Sequence, residues 1–341
     1  MTKEPEKNFQ KKVWTASAIV ALLIILLWIV KVTFNVFLLI LAGTLIALFF
    51  RGLSGLIQRK TKMNDKLSLV IAIVGSLLLV GLFFWFAGNR IQQQVEELTK
   101  TLPQTIDHFK NQLNNSALGK QVLERLSSQD NTGKASAVIQ SFFKSTFGIL
   151  GDIYVVLFIG IFFTASPKTY VDGFIKLIPP KAKAKTEEVI NKVGSTLTKW
   201  LKGQLLAMLI VAILTAIGLS ILGMPMAFAL AIIAGVLNFI PNFGPLIAMI
   251  PAVLVGLMQG VNTALIVAGL YIFIQIIESN LITPQIQKKM INMPPALIII
   301  AQLFMGVLTG GWGLILATPL TAILMVVIQE TWIKKQNAPI P

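Results

Sequence analysis

The stretch Asn238–Pro251, which reads NFIPNFGPLIAMIP, interrupts apolar sequence that would otherwise be long enough to cross a membrane. Proline lacks an amide donor and clashes with the preceding helical turn, so Pro241 and Pro245, with Gly244 before the second, predict a helix break. Lipid cannot form hydrogen bonds with the backbone carbonyls that a break sets free. Such a break can therefore exist only inside protein or beside an aqueous cavity.

Two asparagines lie in the same stretch, Asn238 and Asn242. Their side-chain amides could bond the freed carbonyls or a solute. Transporters commonly build substrate sites from discontinuous helices of this kind near the membrane midplane. The stretch therefore predicts the centre of a solute pathway.

The composition indicates an all-α polytopic membrane protein. Hydrophobic residues make up 55% of the chain, charged residues 13%, and the mean hydropathy is +0.79, whereas a soluble domain has roughly 25% charged residues. The net charge of +15 comes from 29 basic and 14 acidic residues. Because the basic residues occupy short segments between apolar runs, they indicate topology and contact with anionic membrane lipids, and no nucleic-acid partner is predicted.

The sequence offers little for catalysis. It has no cysteine, which excludes thiolate chemistry and zinc-cysteine sites, and its one histidine, His108, lies in a polar region. No phosphate-binding loop of the GxxxxGK[ST] form is present. We therefore predict no enzyme activity, no catalytic residue, no cofactor and no metal site, and any transport must use a gradient or partners or be passive.

Residues 1–87 predict a cytoplasmic tail and three transmembrane helices. Val13–Val30 and Val32–Phe50 are close to the ~20 residues that span hydrocarbon, and we expect them to form a hairpin with Lys31 and Asn35 near its outer turn. A basic segment then precedes Leu67–Ala87, which is predicted to return outward.

Residues 88–145 are polar and predict a helical extracytoplasmic region. Its apolar positions follow a near-heptad spacing, which describes a seam on one helix face. The seam could pack on its own chain or the membrane surface, or it could form an oligomer contact. These positions are Ile91, Val95, Leu98, Leu102, Ile106, Phe109 and Leu113.

Residues 146–204 predict a transmembrane helix, Phe147–Ala165, followed by a cytoplasmic amphipathic segment. Asp152 lies about one turn into this helix. The amphipathic segment has an apolar face that we expect at the inner membrane interface. The face consists of Ile190, Val193, Leu197, Trp200 and Leu201.

Residues 205–341 predict a transmembrane core with broken helices at 238–251 and 306–319. After a crossing at Leu205–Leu222, five apolar segments of 13 to 15 residues follow, shorter than a usual span. Either all five cross, or two pairs form re-entrant hairpins with tips at the Pro241–Pro245 break and at the Gly310–Gly313 cluster. The second topology is favoured because paired, broken segments are typical of gated sites. The segments are Met226–Ile240, Leu246–Met258, Ala264–Ile277, Ala296–Leu308 and Leu314–Ile328.

Ionisable residues in apolar segments cost roughly 2.5 to 3.5 kcal/mol on insertion, so each requires a reason. Glu278 closes one apolar run and is followed by Asn280, Thr283 and Pro284. This cluster could hold a cation or a proton, or Glu278 could be a structural anchor that bonds broken backbone. Asp152 is predicted as an interfacial group with coupling as the alternative, and Glu330 as a surface residue. We expect Gln204, Gln275 and Gln302 to form bonds between helices.

Four stretches resemble the AI-2E transporters, a family named for export of the furanone autoinducer-2: Trp200–Gln204, Ile240–Ala252, Glu278–Ile286 and Gly306–Ala322. The resemblance implies a multi-pass inner-membrane permease that forms a homo-oligomer. It leaves the substrate open, because some members resemble signal exporters and others sodium/proton antiporters. One departure is the Met293–Pro295 turn, where the family often has Leu-His-Pro.

We therefore predict a multi-pass transporter of the bacterial plasma membrane with both termini cytoplasmic and a small-molecule or ion substrate. The alternatives are a sodium or lithium/proton antiporter and, from another class, a membrane scaffold or receptor that uses the outer seam. Glu278 and Asp152 are the coupling candidates. The predicted path comprises Asn238, Pro241, Asn242, Gly244, Pro245, Glu278, Asn280, Thr283, Pro284, Gly310 and Gly311.

Overall fold

The structure is a computed structural model that describes residues 4–83, 85, 151–284 and 293–334. These residues form helices without a strand, which confirms the all-α polytopic fold. Five of the helices are long and apolar enough to cross a membrane, and a bent pair of helices would make a sixth span. The predicted polar region at 88–145, its seam and His108 lie outside the described residues.

The first helix, α1 (Glu4–Thr61), is continuous over 58 residues, so the predicted hairpin with a turn near Lys31 and Asn35 is wrong. The physical reason is local: no glycine or proline lies between Val13 and Leu41, and one lysine and one asparagine among apolar residues do not end a helix. After a short turn, α2 (Asp65–Phe83) follows.

Helix α3 (Gly151–Ala165) meets α4 (Pro167–Lys176) at an angle of 90°. Helix α5 (Lys183–Ile221) then runs for 39 residues and joins the predicted amphipathic segment to the predicted crossing. Its face with Leu197, Trp200 and Leu201 is buried in protein, so the prediction that this face lies at the membrane interface is wrong. Apolar periodicity indicates that a face is covered, but it does not distinguish protein from lipid.

The C-terminal half contains five helices at the places where the sequence predicts short apolar segments. The two breaks are narrower than predicted, since Pro251 and Pro319 lie inside helices without ending them. The last helix and its extension form a 23-residue segment that is long enough to cross a membrane. These helices are α6 (Ala227–Leu237), α7 (Phe243–Gln259), α8 (Val261–Ile277, extended by a π-helical turn, Glu278–Ile282), α9 (Pro295–Thr309) and α10 (Gly311–Ile328, extended by Gln329–Ile333).

Two large buried clusters share α5. The first, core 1, joins α1, α3, the first half of α5, α9 and α10, with Leu38, Trp200 and Leu316 among its members. The second, core 2, joins the second half of α5 to α6, α7 and α8, with Leu230 and Val267 at its centre. The cores meet along the middle of α5, and this junction positions the candidate site.

Candidate functional site

A cavity of about 150 Å³ lies where the two cores meet. Its walls come from five parts of the chain: the middle of α5, the break between α6 and α7, the π-helical turn after α8, the start of α9 and the middle of α10. The lining residues are Trp200, Gln204, Ala207, Pro241, Asn242, Glu278, Ser279, Thr283, Pro284, Met293, Pro295, Ile298 and Thr318.

The break between α6 and α7 forms one wall and is built by close backbone contacts. Asn242 takes a positive φ of 68°, and the amide of Gly244 donates to the carbonyl of Ile240 at 2.8 Å. A Cβ atom at Gly244 would overlap the Leu237 carbonyl. The break therefore requires glycine at 244 for lack of space, and it brings the start of α7 against the end of α6.

Two buried glutamines from neighbouring helices bond the carbonyls at this break. The Gln204 side-chain amide donates to the carbonyl of Asn238 at 2.6 Å, and that of Gln302 donates to the carbonyl of Pro241 at 2.8 Å. The predicted helix-to-helix bonding is thereby confirmed for these two residues. The asparagines do not supply these amides: Asn242 instead donates to the Gln302 side-chain oxygen at 3.4 Å.

Asn238 is fully buried beside the Glu278 carboxylate, and neither polar atom of its side chain forms a hydrogen bond of good geometry in the described part of the chain. The hydroxyl of Thr318, which lines the cavity, also lacks one there. An unpaired buried polar group costs about 1–3 kcal/mol, so each such group requires an explanation. For Thr318, a solute in the cavity that supplies the missing bond is one such explanation. Asn238, a predicted path residue, does not line the cavity.

Glu278 is only 3% exposed and begins the π-helical turn. Its carboxylate accepts hydrogen bonds from the Gln275 amide at 3.0 Å and from the Thr283 hydroxyl at 3.3 Å. Within residues 151–284 and 293–334, no lysine or arginine forms an ion pair with it. A buried carboxylate without a cationic partner is costly, and π-helical turns are frequent at functional sites. This arrangement can bind a cation or exchange a proton.

Several predicted path residues lie in or directly behind the cavity wall. Thr283 and Pro284 line it beside Glu278. Gly244 and Pro245 are buried at the start of α7, behind the break. The break and the segment after α8 therefore meet in space, although about 40 residues separate them in the sequence.

Other predicted path residues lie elsewhere. The side-chain amide of Asn280 donates to the carbonyl of Ile276 on its own helix at 2.9 Å and is exposed. Gly310 and Gly311 form the junction between α9 and α10, where Gly310 has a φ of 66°, and neither lines the cavity. The second broken region thus contributes to the cavity through the helices it connects.

Asp152, the other coupling candidate, is not part of the cavity lining. Its carboxylate accepts a 2.7 Å hydrogen bond from the indole nitrogen of Trp312. This bond joins α3 to the first turn of α10. The geometry is that of a structural link between helices.

Sequence reasoning missed part of the lining. Trp200 forms part of the wall beside the break, and its ring packs edge-on against Phe239 with centroids 5.6 Å apart. Thr318 gave a weak signal, a threonine directly before a helical proline. Met293 and Pro295, from the turn before α9, also line the cavity.

Glu330 was predicted to be a surface residue, and this is wrong. It is 1% exposed and pairs with three lysines: Lys185 at 3.3 Å, Lys334 at 2.6 Å, and Lys192. Two of these lysines lie on the first half of α5, so the pairs link the end of the described chain to α5. A charge near a helix end looks exposed in a sequence when its partners lie far away along the chain.

The AI-2E family transporter model matches residues 17–333. YrrI of Bacillus subtilis, whose name assigns it provisionally to transport, is 34% identical over 152 residues, which are 45% of this chain and 43% of YrrI. YueF of the same organism, with the same provisional assignment, is 30% identical over 190 residues, 54% of this chain and 52% of YueF. These two matches span about half of each relative. The AI-2 transport protein TqsA of Escherichia coli is 23% identical over 302 residues, 86% of each chain.

Proposed function

Because this chain belongs to the AI-2E transporter family, we propose that it is a permease that moves a small solute through the cavity between its two cores, driven by a gradient or passively. The observation that carries the proposal is the convergence of the α6–α7 break and the Glu278 turn on one cavity. Helix breaks at membrane depth are tolerated where they line such a cavity. Asn242 and Thr318, which line the cavity, would bond the solute as it passes.

The proposed substrate is a small oxygen-bearing solute of the autoinducer-2 type. The name of TqsA, which matches 86% of this chain, supports this choice. The chemistry of the wall also supports it, because amides and hydroxyls lie beside apolar groups such as Trp200 and Ile298. A small furanone could accept and donate hydrogen bonds at its edge while its ring packs on the apolar side.

Counterflow of labelled autoinducer-2 in proteoliposomes tests this proposal. We expect saturable exchange with the wild-type protein and at least a tenfold loss with Asn242→Ala. Asn262→Ala is the matched control, because Asn262 is exposed at the start of α8 and lies outside the cavity. If both variants are inserted to the same level and show equal flux, the solute does not pass through this cavity.

Within the described residues Glu278 has no cationic partner, and this favours a second candidate function, sodium or lithium/proton antiport. A buried carboxylate that alternates between a proton and a cation needs neutral oxygen ligands nearby, and the hydroxyls of Thr283 and Ser279 lie in the same wall. With an imposed pH gradient and no furanone, sodium movement should then depend on Glu278. Glu278→Gln should abolish it, whereas Glu187→Gln, on the exposed face of α5, should not.

We also propose that the protein lies in the bacterial plasma membrane with its C-terminus in the cytoplasm. We propose further that it forms a homo-oligomer, as the resemblance to the family implies. Two contacts support a shared basic side: Arg51 donates to the carbonyl of Thr164 at the end of α3, and Lys334 shares Glu330 with Lys192. Positive residues collect on the cytoplasmic side. The prediction of a cytoplasmic N-terminus depended on the turn near Lys31 that α1 lacks. The side of the membrane on which the N-terminus lies stays a prediction, which accessibility labelling would test.

A further inference from the structure

The short helix α4 carries an apolar face that the described part of the chain leaves open. None of its residues is buried. Tyr170 and Phe174 are 43% and 52% exposed, and Leu177, directly after the helix, is 82% exposed. The spacing of four and three residues places these side chains on one face, while Lys168 and Lys176 lie on the other side.

The direction of α4 identifies what this face meets. The sequence predicts a transmembrane helix over Phe147–Ala165, and α4 leaves α3, the described part of that segment, at 90°. A helix perpendicular to a membrane span lies in the plane of the membrane surface. An amphipathic helix in that plane buries its apolar face at the boundary between headgroups and acyl chains.

The exposed aromatic rings of α3 continue around the bend onto α4. Tyr154, Phe158 and Phe162 are exposed along α3, with ring centroids 4.5 Å and 6.0 Å apart. At the bend, the ring of Phe163 contacts that of Tyr170 at 4.6 Å. Since exposed rings along a span face lipid, the same lipid surface continues under α4.

The charge of this segment fits anionic headgroups. Five lysines and one aspartate lie between Pro167 and Lys185. Lysines near a membrane surface are attracted to anionic lipids within a short distance of the headgroups. We propose that α4 binds the interface of the leaflet on its own side of the membrane, with Phe174 and Leu177 inserted below anionic phospholipid headgroups and Lys168 and Lys176 among them.

The cysteine-free chain allows a direct test. Single-cysteine variants Phe174→Cys and Leu177→Cys, labelled with an environment-sensitive fluorophore, are compared with Asp172→Cys on the polar face of α4, in full-length protein. The vesicles contain phosphatidylcholine and phosphatidylglycerol, part of it with nitroxide groups near the top of the acyl chains. We expect the nitroxides to quench the labels at 174 and 177 several-fold more strongly than the label at 172.

Three other results would overturn the proposal. Equal quenching of all three labels by aqueous iodide would mean that the face is in water. Protection of 174 and 177 from both iodide and nitroxide would mean that a second copy or another protein covers them. In a Lys168→Gln/Lys176→Gln background, lipid quenching at 174 should fall in vesicles with phosphatidylglycerol and stay constant in phosphatidylcholine alone. An unchanged signal in both kinds of vesicle would mean that the two lysines do not bind anionic headgroups. Lys199→Gln, on an exposed part of α5, is the charge control.

Discussion

The side-chain amide of Gln302 on α9 donates a 2.8 Å hydrogen bond to the carbonyl of Pro241, the residue at the break between α6 and α7. Gln302 is fully buried. Helix α9 belongs to core 1, whereas α6 and α7 belong to core 2, so the bond crosses the junction beside the cavity. One side chain thus stabilises the broken backbone and connects the two halves of the site.

We expect Gln302→Leu to lower the free energy of unfolding by about 1–3 kcal/mol, because it leaves the amide of Asn242 and one lone pair of the Pro241 carbonyl without a partner. Thermal unfolding of the purified protein in detergent measures this loss. Gln259→Leu is the matched control, since Gln259 is exposed at the end of α7. If both variants unfold at the same temperature, the Gln302 bond does not stabilise the break.

Two glycine-to-alanine substitutions should have opposite effects. At Gly244 an added Cβ would overlap the Leu237 carbonyl, which is backbone and cannot rotate away, so Gly244→Ala should displace the start of α7 and abolish transport. At Gly269, in the middle of α8, no atom lies within 4 Å of the added Cβ. Gly269→Ala should be neutral or stabilise by up to about 1 kcal/mol, since glycine is unfavourable inside a helix. The measurement compares flux and unfolding temperature between the two variants. If Gly244→Ala transports as fast as the wild type, the break tolerates a Cβ atom at this position and the predicted overlap is wrong.

The sequence predicts the break and the Glu278 segment well because proline, glycine and an intramembrane carboxylate have local consequences. Proline removes a donor wherever it stands, and lipid provides no replacement. The five short C-terminal helices follow from the same signals. The sequence predicts that the break and the Glu278 segment line one path. It does not predict the contribution of Thr318, because its one local signal, the proline that follows it, does not indicate which way its side chain points.

Features that depend on distant partners could not be predicted. Glu330 is 145 residues from Lys185 and 138 from Lys192 along the chain, and no local pattern reveals that these groups meet. The same limit explains why the prediction for the apolar face of α5 was wrong: this face packs against other helices in core 1 and not against the membrane. The missing turn near Lys31 is different: there the sequence lacked a breaker, and the span length alone suggested a hairpin.

Asp152 and Trp312 should be energetically coupled. The indole N–H donates to the carboxylate at 2.7 Å, and hydrogen bonds to charged groups contribute about 1.5–3 kcal/mol. A double-mutant cycle with Asp152→Ala and Trp312→Phe should therefore give a coupling energy of about 1–2 kcal/mol in unfolding, since Asp152 is partly exposed.

Asp152→Asn then separates a structural role from a coupling role. The asparagine keeps an oxygen acceptor for Trp312 but cannot exchange a proton near neutral pH. If Asp152 is structural, this variant keeps both flux and its dependence on the pH gradient. If Asp152→Asn instead loses the dependence of flux on the pH gradient while its unfolding temperature is unchanged, Asp152 takes part in coupling.

Glu330→Gln should destabilise the contact between α5 and the end of α10. The carboxylate is enclosed by Lys185, Lys192 and Lys334, so its neutralisation leaves three ammonium groups close together with no charge between them. Like charges at short range repel, and salt screens the repulsion where the groups reach solvent. We therefore expect the unfolding temperature to fall by several degrees at low salt and by less at high salt.

Adding Lys192→Met to Glu330→Gln should restore part of the loss, because it removes one of the repelling charges, whereas Glu187→Gln alone should have little effect. A fall that is independent of salt and is not relieved by Lys192→Met would mean that Glu330 acts through packing and not through charge.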